Sequence, residues 1–187
     1  MALPKVMIGS LEKVGGSVAA GPLNTALPTD AKSELDPAFK TRGLIGVEGF
    51  TWSPEREDTE IEVEGGLVAR TLTTKYKERI SLTFMEAANA EVLKAVFGEK
   101  NVEAKDKKVS IKHNALDPAE LAWVISLKDG DGRRRLVIPR GQLKLSGEIA
   151  FVHNDAIKYP VEITALADDN GNYTYEYIED TATGPAA

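Results

Sequence analysis

Apolar and polar side chains alternate every second residue over much of this chain, which is the pattern of half-buried β-strands. Residues 75–85 and 156–166 show it most clearly, because one face of each segment is apolar and the other is charged or polar. Such alternation is typical of antiparallel sheets with one face in water. The apolar faces comprise Tyr76, Ile80, Leu82 and Phe84 in the first segment and Ile157, Tyr159, Val161 and Ile163 in the second.

Turn-forming residues divide the alternating stretches into short strands. Residues 129–132 (DGDG) separate two such stretches and predict a hairpin, and residues 170–171 (NG) predict a turn before the last strand. Pro160 falls inside one strand, so we expect that strand at a sheet edge or a bulge. The predicted strands cover residues 16–20, 44–48, 50–52, 60–64, 75–85, 109–112, 121–128, 134–139, 142–151, 156–166 and 173–178.

One helix is predicted over residues 89–97. Asn89 can cap its N-terminus and Glu91 places an acid in its first turn, where the helix dipole favours negative charge. Gly98 stands where a C-terminal cap is expected. So short a helix is stable only when it packs on a sheet. Its expected core-facing side chains are Val92, Leu93, Val96 and Phe97.

The chain is expected to have three parts: an N-terminal arm (1–42), a β domain (43–180) and a flexible C-terminal tail (181–187). Residues 18–40 contain Pro22, Pro28 and Pro37, and proline fixes φ and lacks a backbone donor, so a short strand and an extended arm are predicted there. We expect residues 1–42 and a loop around residues 53–66 to be ordered mainly by neighbouring subunits, because both have turn formers or charge in place of a core of their own.

Composition narrows the possible functions. The chain has 187 residues, 42% of them hydrophobic, and a net charge of −6, which argues against a protein that grips nucleic acid. The absence of cysteine excludes disulfides, thiolate catalysis and zinc–sulfur sites. Neither a secretory signal nor a run of roughly 18 apolar residues is present, so we expect no membrane partner.

No group of residues is equipped for catalysis. His113 and His153 have no nearby cysteine to join them and are interpreted as surface histidines. The run at 129–132 resembles the start of a calcium loop, but Arg133 and Arg140 stand where ligands are required. Nucleophile-elbow and phosphate-loop motifs are also missing. We therefore predict no catalytic, cofactor or metal site and no enzyme activity.

Two charged runs remain as candidates for contacts. Residues 54–64 contain six acids and one base, and Glu60, Glu62 and Glu64 would share one strand face. Two interpretations stay open for that face. It is a charged face in contact with solvent, or it is a functional surface that repels a polyanion or binds a basic patch on a partner. The three arginines at 133–135 lie in a strand pattern, which favours a solvated strand or a subunit contact. The candidate inter-subunit residues are Arg56, Arg133, Arg134 and Arg135.

The order of these parts resembles the major tail protein, or tail tube protein, of long-tailed bacteriophages that infect actinobacteria. This resemblance implies a mainly antiparallel β-sandwich or barrel with one short flanking α-helix and an extended N-terminal arm. It also implies six-membered rings that stack into a hollow tube for genome ejection. The segments that carry it are VAAGPLNTALPTDAKSELDPAFK (18–40), ERED (55–58), GG (65–66), EVLKAVFG (91–98), WVISLKDGDGRRRLVIPR (123–140) and YTYEYIED (173–180).

The resemblance implies partners and a location. The partners are other copies of the chain, a tape measure protein and tail completion proteins, and the location is the virion tail after synthesis in the cytoplasm of the bacterial host. DNA carries about one negative charge per 1.7 Å, so an acidic wall would let it slide without specific binding. Glu60, Glu62 and Glu64 are the lumen-lining candidates.

Three alternatives stay open. The first is a tail completion or joining protein, and the second is the tube of a contractile injection device. The third is a carbohydrate-binding β-sandwich, for which Trp52 and Trp123 are the principal aromatic candidates.

Overall fold

The structure, a computed structural model, describes residues 6–117 and 119–179. It confirms a mainly antiparallel β protein with one α-helix. The tail predicted at 181–187 lies outside the described residues. The elements are β1 (Val18–Gly21), β2 (Lys40–Thr41), β3 (Ile45–Val63), β4 (Leu67–Phe84), α1 (Ala90–Phe97), a 3-10 turn (Glu99–Asn101), β5 (Val102–Lys105), β6 (Lys108–Ile111), β7 (Glu120–Asp129), β8 (Gly132–Leu145), β9 (Tyr159–Leu166) and β10 (Tyr175–Glu179).

Eight strands form one antiparallel sheet in the order β2-β1-β7-β8-β9-β4-β3, with β10 also paired to β8. Strand β8 is long enough to hold two partners in succession. Its residues 133–137 pair with β10 and its residues 140–145 pair with β9. Strands β5 and β6 form a separate two-stranded hairpin next to α1.

One face of the sheet carries the main hydrophobic core. Because side chains alternate along a strand, Trp123 and Ile125 point to this face while Ala122 and Val124 point to the other. The alternation predicted for β4 and β9 is confirmed, and α1 packs on the same core. The buried core side chains from these three elements are Ile80, Leu82, Phe84, Tyr159, Val161, Ile163, Ala165, Val92, Leu93 and Ala95.

Residues 22–39 cover the opposite face of the sheet. Leu27, Leu35 and Phe39 pack there against a smaller cluster that includes Val124 and Val137. Strand β1 lies inside the sheet, where it pairs with β7 over its whole length and is buried throughout. This contradicts the expectation that residues 1–42 are an arm ordered mainly by neighbours, because residues 18–42 belong to the fold of their own chain. The three prolines lie outside strands, as expected.

Strands β3 and β4 form one long hairpin in place of the short strands predicted at 44–48, 50–52 and 60–64. The loop expected around residues 53–66 is therefore wrong. Residues 53–59 show no apolar–polar alternation because both faces of the hairpin are exposed from residue 55 to the turn. An irregularity between Ile45 and Phe50 is the one interruption near the body, and Gly49 adopts a positive φ of 70° within it.

Other strand boundaries differ for local reasons. Strand β8 runs unbroken through residues 140–141 and ends at Leu145, so the strand predicted at 142–151 is too long. Strands β2 and β5 were not predicted. The hairpin at 129–132 is confirmed, with Asp129 opposite Gly132. The edge predicted from Pro160 is wrong, because β9 lies between β8 and β4. The proline is tolerated near the start of β9, where β8 has already ended.

Candidate assembly surfaces

The β3–β4 hairpin projects far beyond the body of the protein. Strand β4 pairs with β9 from Glu78 to Phe84, so among the described residues β3 is the only strand partner of residues 67–77. At roughly 3.3 Å per residue, that unsupported length extends about 35 Å. The projecting part of the hairpin contributes little to the core of its own chain, and it presents two faces, two strand edges and a turn to the surroundings.

A row of ion pairs lies along one face of this hairpin. Arg79 Nη1 lies 2.7 Å from Glu55 Oε1, and Lys75 Nζ lies 2.8 Å from Glu57 Oε2. The hydrogen bond from Lys75 lowers the pKa of Glu57, and the same bond raises the pKa of Lys75. Exposed pairs add little to stability in water. These pairs link side chains of β3 and β4 across the hairpin.

A buried carboxylate holds the other face at the root of the hairpin. Glu78 is only 5% exposed and accepts hydrogen bonds from Trp52 Nε1 at 3.1 Å and from the Tyr76 hydroxyl at 2.6 Å. The latter bond raises the pKa of Tyr76. Sequence analysis did not single out Glu78. The signal was present, because Glu78 is an acid on the otherwise apolar face of the alternating segment 76–84. Its role is to fix the direction in which the hairpin leaves the body.

Two of the three acids proposed to line a lumen share a face of the hairpin. Glu60 and Glu62 lie opposite Thr71 and Val68 and are exposed. Glu64 falls in the turn at 64–66 and not in the strand, so the expected three-residue face is wrong for this residue. Positive φ angles at Gly65 (92°) and Gly66 (76°) close that turn.

The end of the hairpin also carries exposed apolar side chains, which sequence analysis did not single out. We define the hairpin tip as residues 58–70. Ile61, Val63 and Leu67 share one face of it and are 46%, 50% and 68% exposed. Val68, on the opposite face, is 49% exposed. The hairpin tip contains four acids and one base, so it is both apolar and negatively charged.

The arginines proposed for subunit contacts have different environments. Arg135 is 3% exposed and donates to the backbone carbonyls of Asp30 and Ser33, both at 3.0 Å. The expectation of a subunit contact is therefore wrong for Arg135, which holds residues 22–39 on the sheet. Its neighbours are partly exposed and already paired, Arg133 with Glu12 at 3.3 Å and Arg134 with Glu176 at 2.6 Å.

Arg56, the remaining candidate, lies on the exposed hairpin. Its guanidinium lies 5.6 Å from the centroid of the Tyr76 ring, within cation–π range. It stays available to a neighbouring chain.

Helix α1 has the predicted caps. Asn89 Oδ1 accepts a hydrogen bond from the backbone N–H of Glu91 at 2.9 Å, and Gly98 closes the C-terminus with a φ of 93°. Val92 and Leu93 are buried as predicted, whereas Phe97 and its neighbour Val96 are only half-buried. The last turn of the helix is therefore partly open.

That opening is a cleft of about 660 Å³. We name it the α1 cleft, and it is bounded by residues 94–101, residues 112–117 and the end of β8. His113 packs edge-on against Phe97, with ring centroids 4.9 Å apart. The apolar lining includes Val96, Phe97, Leu116, Leu121 and Leu145. Its charged lining consists of five cations, Arg42, Lys94, Lys100, Lys112 and Lys144, and two acids, Glu99 and Asp117.

Arg42 connects the α1 cleft to the core. Its side chain is 6% exposed, and its guanidinium donates to the backbone carbonyl of Ala20 and to both the backbone carbonyl and the carboxylate of Glu91. Burial lowers the pKa of Arg42. Its buried Nε atom has no hydrogen-bond partner in the part of the chain that the structure describes.

Several other expectations can be placed on the structure. Trp123 is fully buried and donates to the carbonyl of Gly141, so it cannot offer its ring to a carbohydrate. Trp52 is partly buried, and its indole N–H is bonded to Glu78. Within residues 6–117 and 119–179, no group of three or more His, Asp or Glu side chains could hold a metal ion. No helix in those ranges is long and apolar enough to cross a membrane.

Comparison with known proteins identifies the family. A search of curated proteins gave no match. The family model described as phage tail tube protein matches residues 14–187, which is nearly the whole chain and includes the long hairpin, α1 and the main sheet. The chain therefore belongs to the phage tail tube protein family, in agreement with the resemblance read from its sequence.

Proposed function

We propose that this chain is the major tail tube subunit of a long-tailed phage of actinobacteria. Its copies form hexameric rings, and the rings stack into the hollow conduit for genome ejection. The observation that carries the proposal is the β3–β4 hairpin, which extends about 35 Å from the body and is exposed on both faces. A hairpin with so little intramolecular support fits a subunit that is completed by its neighbours.

The sheet has open edges that a ring would close. Strands β2 and β3 stand at the two ends of the strand order, so each has one unpaired edge in the described chain. Open edges are a liability for a monomer, whereas cyclic assembly pairs or covers them. Obligate interfaces of this kind bury on the order of 2,000 Å² or more.

The conduit wall is proposed to be net negative. Glu60 and Glu62 lie on one exposed hairpin face, and Glu64 lies at the adjoining turn. Six copies would place rings of carboxylates around DNA of the same sign, which keeps the DNA on the axis without specific binding.

The role is structural and not enzymatic. By the resemblance, a tape measure protein and tail completion proteins are the other tail partners, and subunits made in the host cytoplasm end in the virion tail. A tail completion or joining protein on a related fold is the competing interpretation.

Assembly is tested directly with purified chain. Analytical ultracentrifugation over a concentration series and negative-stain microscopy should show six-fold rings and tubes. Single rings that never stack would favour the completion or joining protein. A strictly monomeric species at high concentration, together with phage tails that lack this chain, would contradict the proposal.

The acidic wall is tested by the triple substitution of Glu60, Glu62 and Glu64 to Lys. Tubes should still form, but ejection should slow or stall, most strongly at low salt where screening is weak. A failure of assembly would instead place these acids at a subunit contact, and normal ejection would place them on a solvated outer face.

A matched control keeps the change of net charge constant. Glu34, Glu148 and Asp169 are exposed acids outside the hairpin. Their triple substitution to Lys adds the same charge elsewhere and should leave ejection unchanged.

A further inference from the structure

We infer that the α1 cleft is the receptor for the hairpin tip of a second copy of this chain, so that subunits join head to tail. The inference rests on the proposed tube function and deepens it by naming the two surfaces that meet. Polarity, apolar complementarity and charge each support it.

The two surfaces lie at opposite ends of the subunit. The hairpin leaves the body at Glu78, the last β4 residue that pairs with β9. At the other end of that pairing, Phe84 lies opposite Tyr159, and the chain then turns into α1. Leu145 at the end of β8, opposite Val161, contributes to the cleft at this same end. The hairpin tip therefore points away from the cleft of its own chain.

Opposite placement determines the kind of assembly. A contact in which one surface of a subunit binds a different surface of the next copy is called heterologous. Such contacts add subunits without limit unless the rotation between successive subunits closes them into a ring. With the hairpin tip at one end and the cleft at the other, each added subunit presents a new receptor. The hairpin extends about 35 Å beyond the part of β4 that pairs with β9, so its tip lies well away from the body and is free to contact a second subunit.

The apolar parts match in character. Ile61, Val63 and Leu67 form an exposed face on the hairpin tip. Phe97 and Leu116 are open to solvent in the cleft, Leu116 being 75% exposed. A volume of about 660 Å³ falls within the range, roughly 300–1,000 Å³, of pockets that enclose ligands. Docking would remove both apolar surfaces from water.

The charges are complementary. The hairpin tip contains four acids and one base, whereas five cations and two acids line the cleft of a chain whose net charge is −6. Four of the five cations already pair with acids of their own chain: Arg42 and Lys94 with Glu91, Lys112 with Glu103, and Lys144 with Glu162. Among the cleft cations of the described residues, Lys100 is the one without such a pair, so it is the leading partner for an acid of the hairpin tip. Opposite fields steer the two surfaces together and fix their orientation. Glu60 and Glu62 lie on the hairpin face opposite Ile61 and Val63, so docking of the apolar face leaves them free to line a lumen.

Disulfide trapping tests the contact, because the chain has no cysteine of its own. The double variant Val63→Cys, Leu116→Cys is assembled and oxidised, then run on a denaturing gel. Each chain carries both halves of the contact, so we expect a ladder of covalent oligomers that collapses on reduction.

The control places the second cysteine at Phe151. This residue is 77% exposed in the segment between β8 and β9, at the same end of the subunit but outside the cleft. Val63→Cys with Phe151→Cys should remain mostly uncrosslinked or stop at dimers. Equal ladders from the two pairs, or no ladder from the first, would overturn the inference.

A mixing experiment separates this inference from the proposed function. Val63→Asp, Leu67→Asp damages the hairpin tip, and Leu116→Asp damages the cleft; each variant should form rings that do not stack. When the two variants are mixed, the intact tips of one ring can bind the intact clefts of the other, so stacks of two rings should form.

If the wild-type chain forms tubes and both variants also form tubes, this inference fails and the proposed tube function stands. If wild type forms neither rings nor tubes, the proposed function fails. Thermal melting confirms that each variant is folded.

Discussion

Replacing Arg135 with Ala should weaken the attachment of residues 22–39 to the sheet. The guanidinium is almost fully buried and is the polar link between β8 and that segment. Nη1 donates to the carbonyl of Asp30 and Nη2 to the carbonyl of Ser33, each at 3.0 Å. Backbone N–H groups of residues 32–33 in turn donate to the Asp30 carboxylate and lower its pKa, so the turn presents preformed acceptors to the arginine.

The magnitude follows from the two charged hydrogen bonds. Each is worth about 1.5–3 kcal/mol, and their loss leaves carbonyls without their donors. Some of that cost is recovered when water enters and the segment relaxes, so we expect Arg135→Ala to lower the free energy of unfolding by about 3 kcal/mol. Arg134→Ala on the same strand is the matched control. Its partner Glu176 is reached at a partly exposed site, where ion pairs contribute roughly 0–1 kcal/mol.

Urea denaturation at low protein concentration measures both variants. The emission of the buried Trp123 reports the core, and hydrogen exchange reports residues 22–39. We expect a large shift of the midpoint and faster exchange in that segment for Arg135→Ala only. Equal midpoints for the two variants, or unchanged exchange at residues 22–39, would refute the idea that Arg135 fastens the segment.

Three further predictions concern single sites. Gly141→Ala should lower the free energy of unfolding by about 1–3 kcal/mol, because the added Cβ would lie 2.8 Å from both Ile163 Cγ2 and Trp123 Cδ1. An unchanged Tm would contradict this. Phe97→Ala should lower the free energy of unfolding by about 1.5–3 kcal/mol, which is less than for a fully buried ring because Phe97 is half-buried in the α1 cleft. A loss of less than about 0.5 kcal/mol would show that Phe97 does not pack against the core. Hydrogen bonds from Tyr175 and Asn172 lower the pKa of Asp168 in the folded protein. The ionised carboxylate therefore stabilises the fold fully above the usual aspartate pKa of 3.8, and this stabilisation is lost as the pH falls through the lower pKa of the folded state. Asp168→Asn should flatten the curve of stability against pH below about 4, and an unchanged acid limb would contradict that.

Local chemistry explains what the sequence could predict. The α1 boundaries follow from Asn89 and Gly98, whose roles need only neighbouring residues. The hairpin at 129–132 is equally local. Strands with one buried face, such as the body half of β4, show the alternation that burial imposes. The exposed acids at Glu60 and Glu62 were also placed on one face of a strand correctly.

Long-range contacts explain what could not be predicted. Residues 53–59 of β3 have no buried face and show no alternation, so the strand predicted at 60–64 could not be extended back to the body. The attachment of residues 22–39 depends on Arg135, more than a hundred positions along the chain from its acceptor at Asp30. The α1 cleft brings together residues as distant as Arg42 and Leu145. None of these arrangements leaves a signal within a short window of sequence.

The outer edge of β3 has a consequence for the time before assembly. Along its 19 residues, alternate peptide groups point away from β4 and are unpaired, which makes a surface on which another strand could add. Pro54 interrupts its row of donors, and residues 54–64 carry six acids against one base. Two free copies that approach edge to edge therefore repel each other and find an incomplete hydrogen-bond template. The charge pattern thus disfavours pairing of free subunits along this edge.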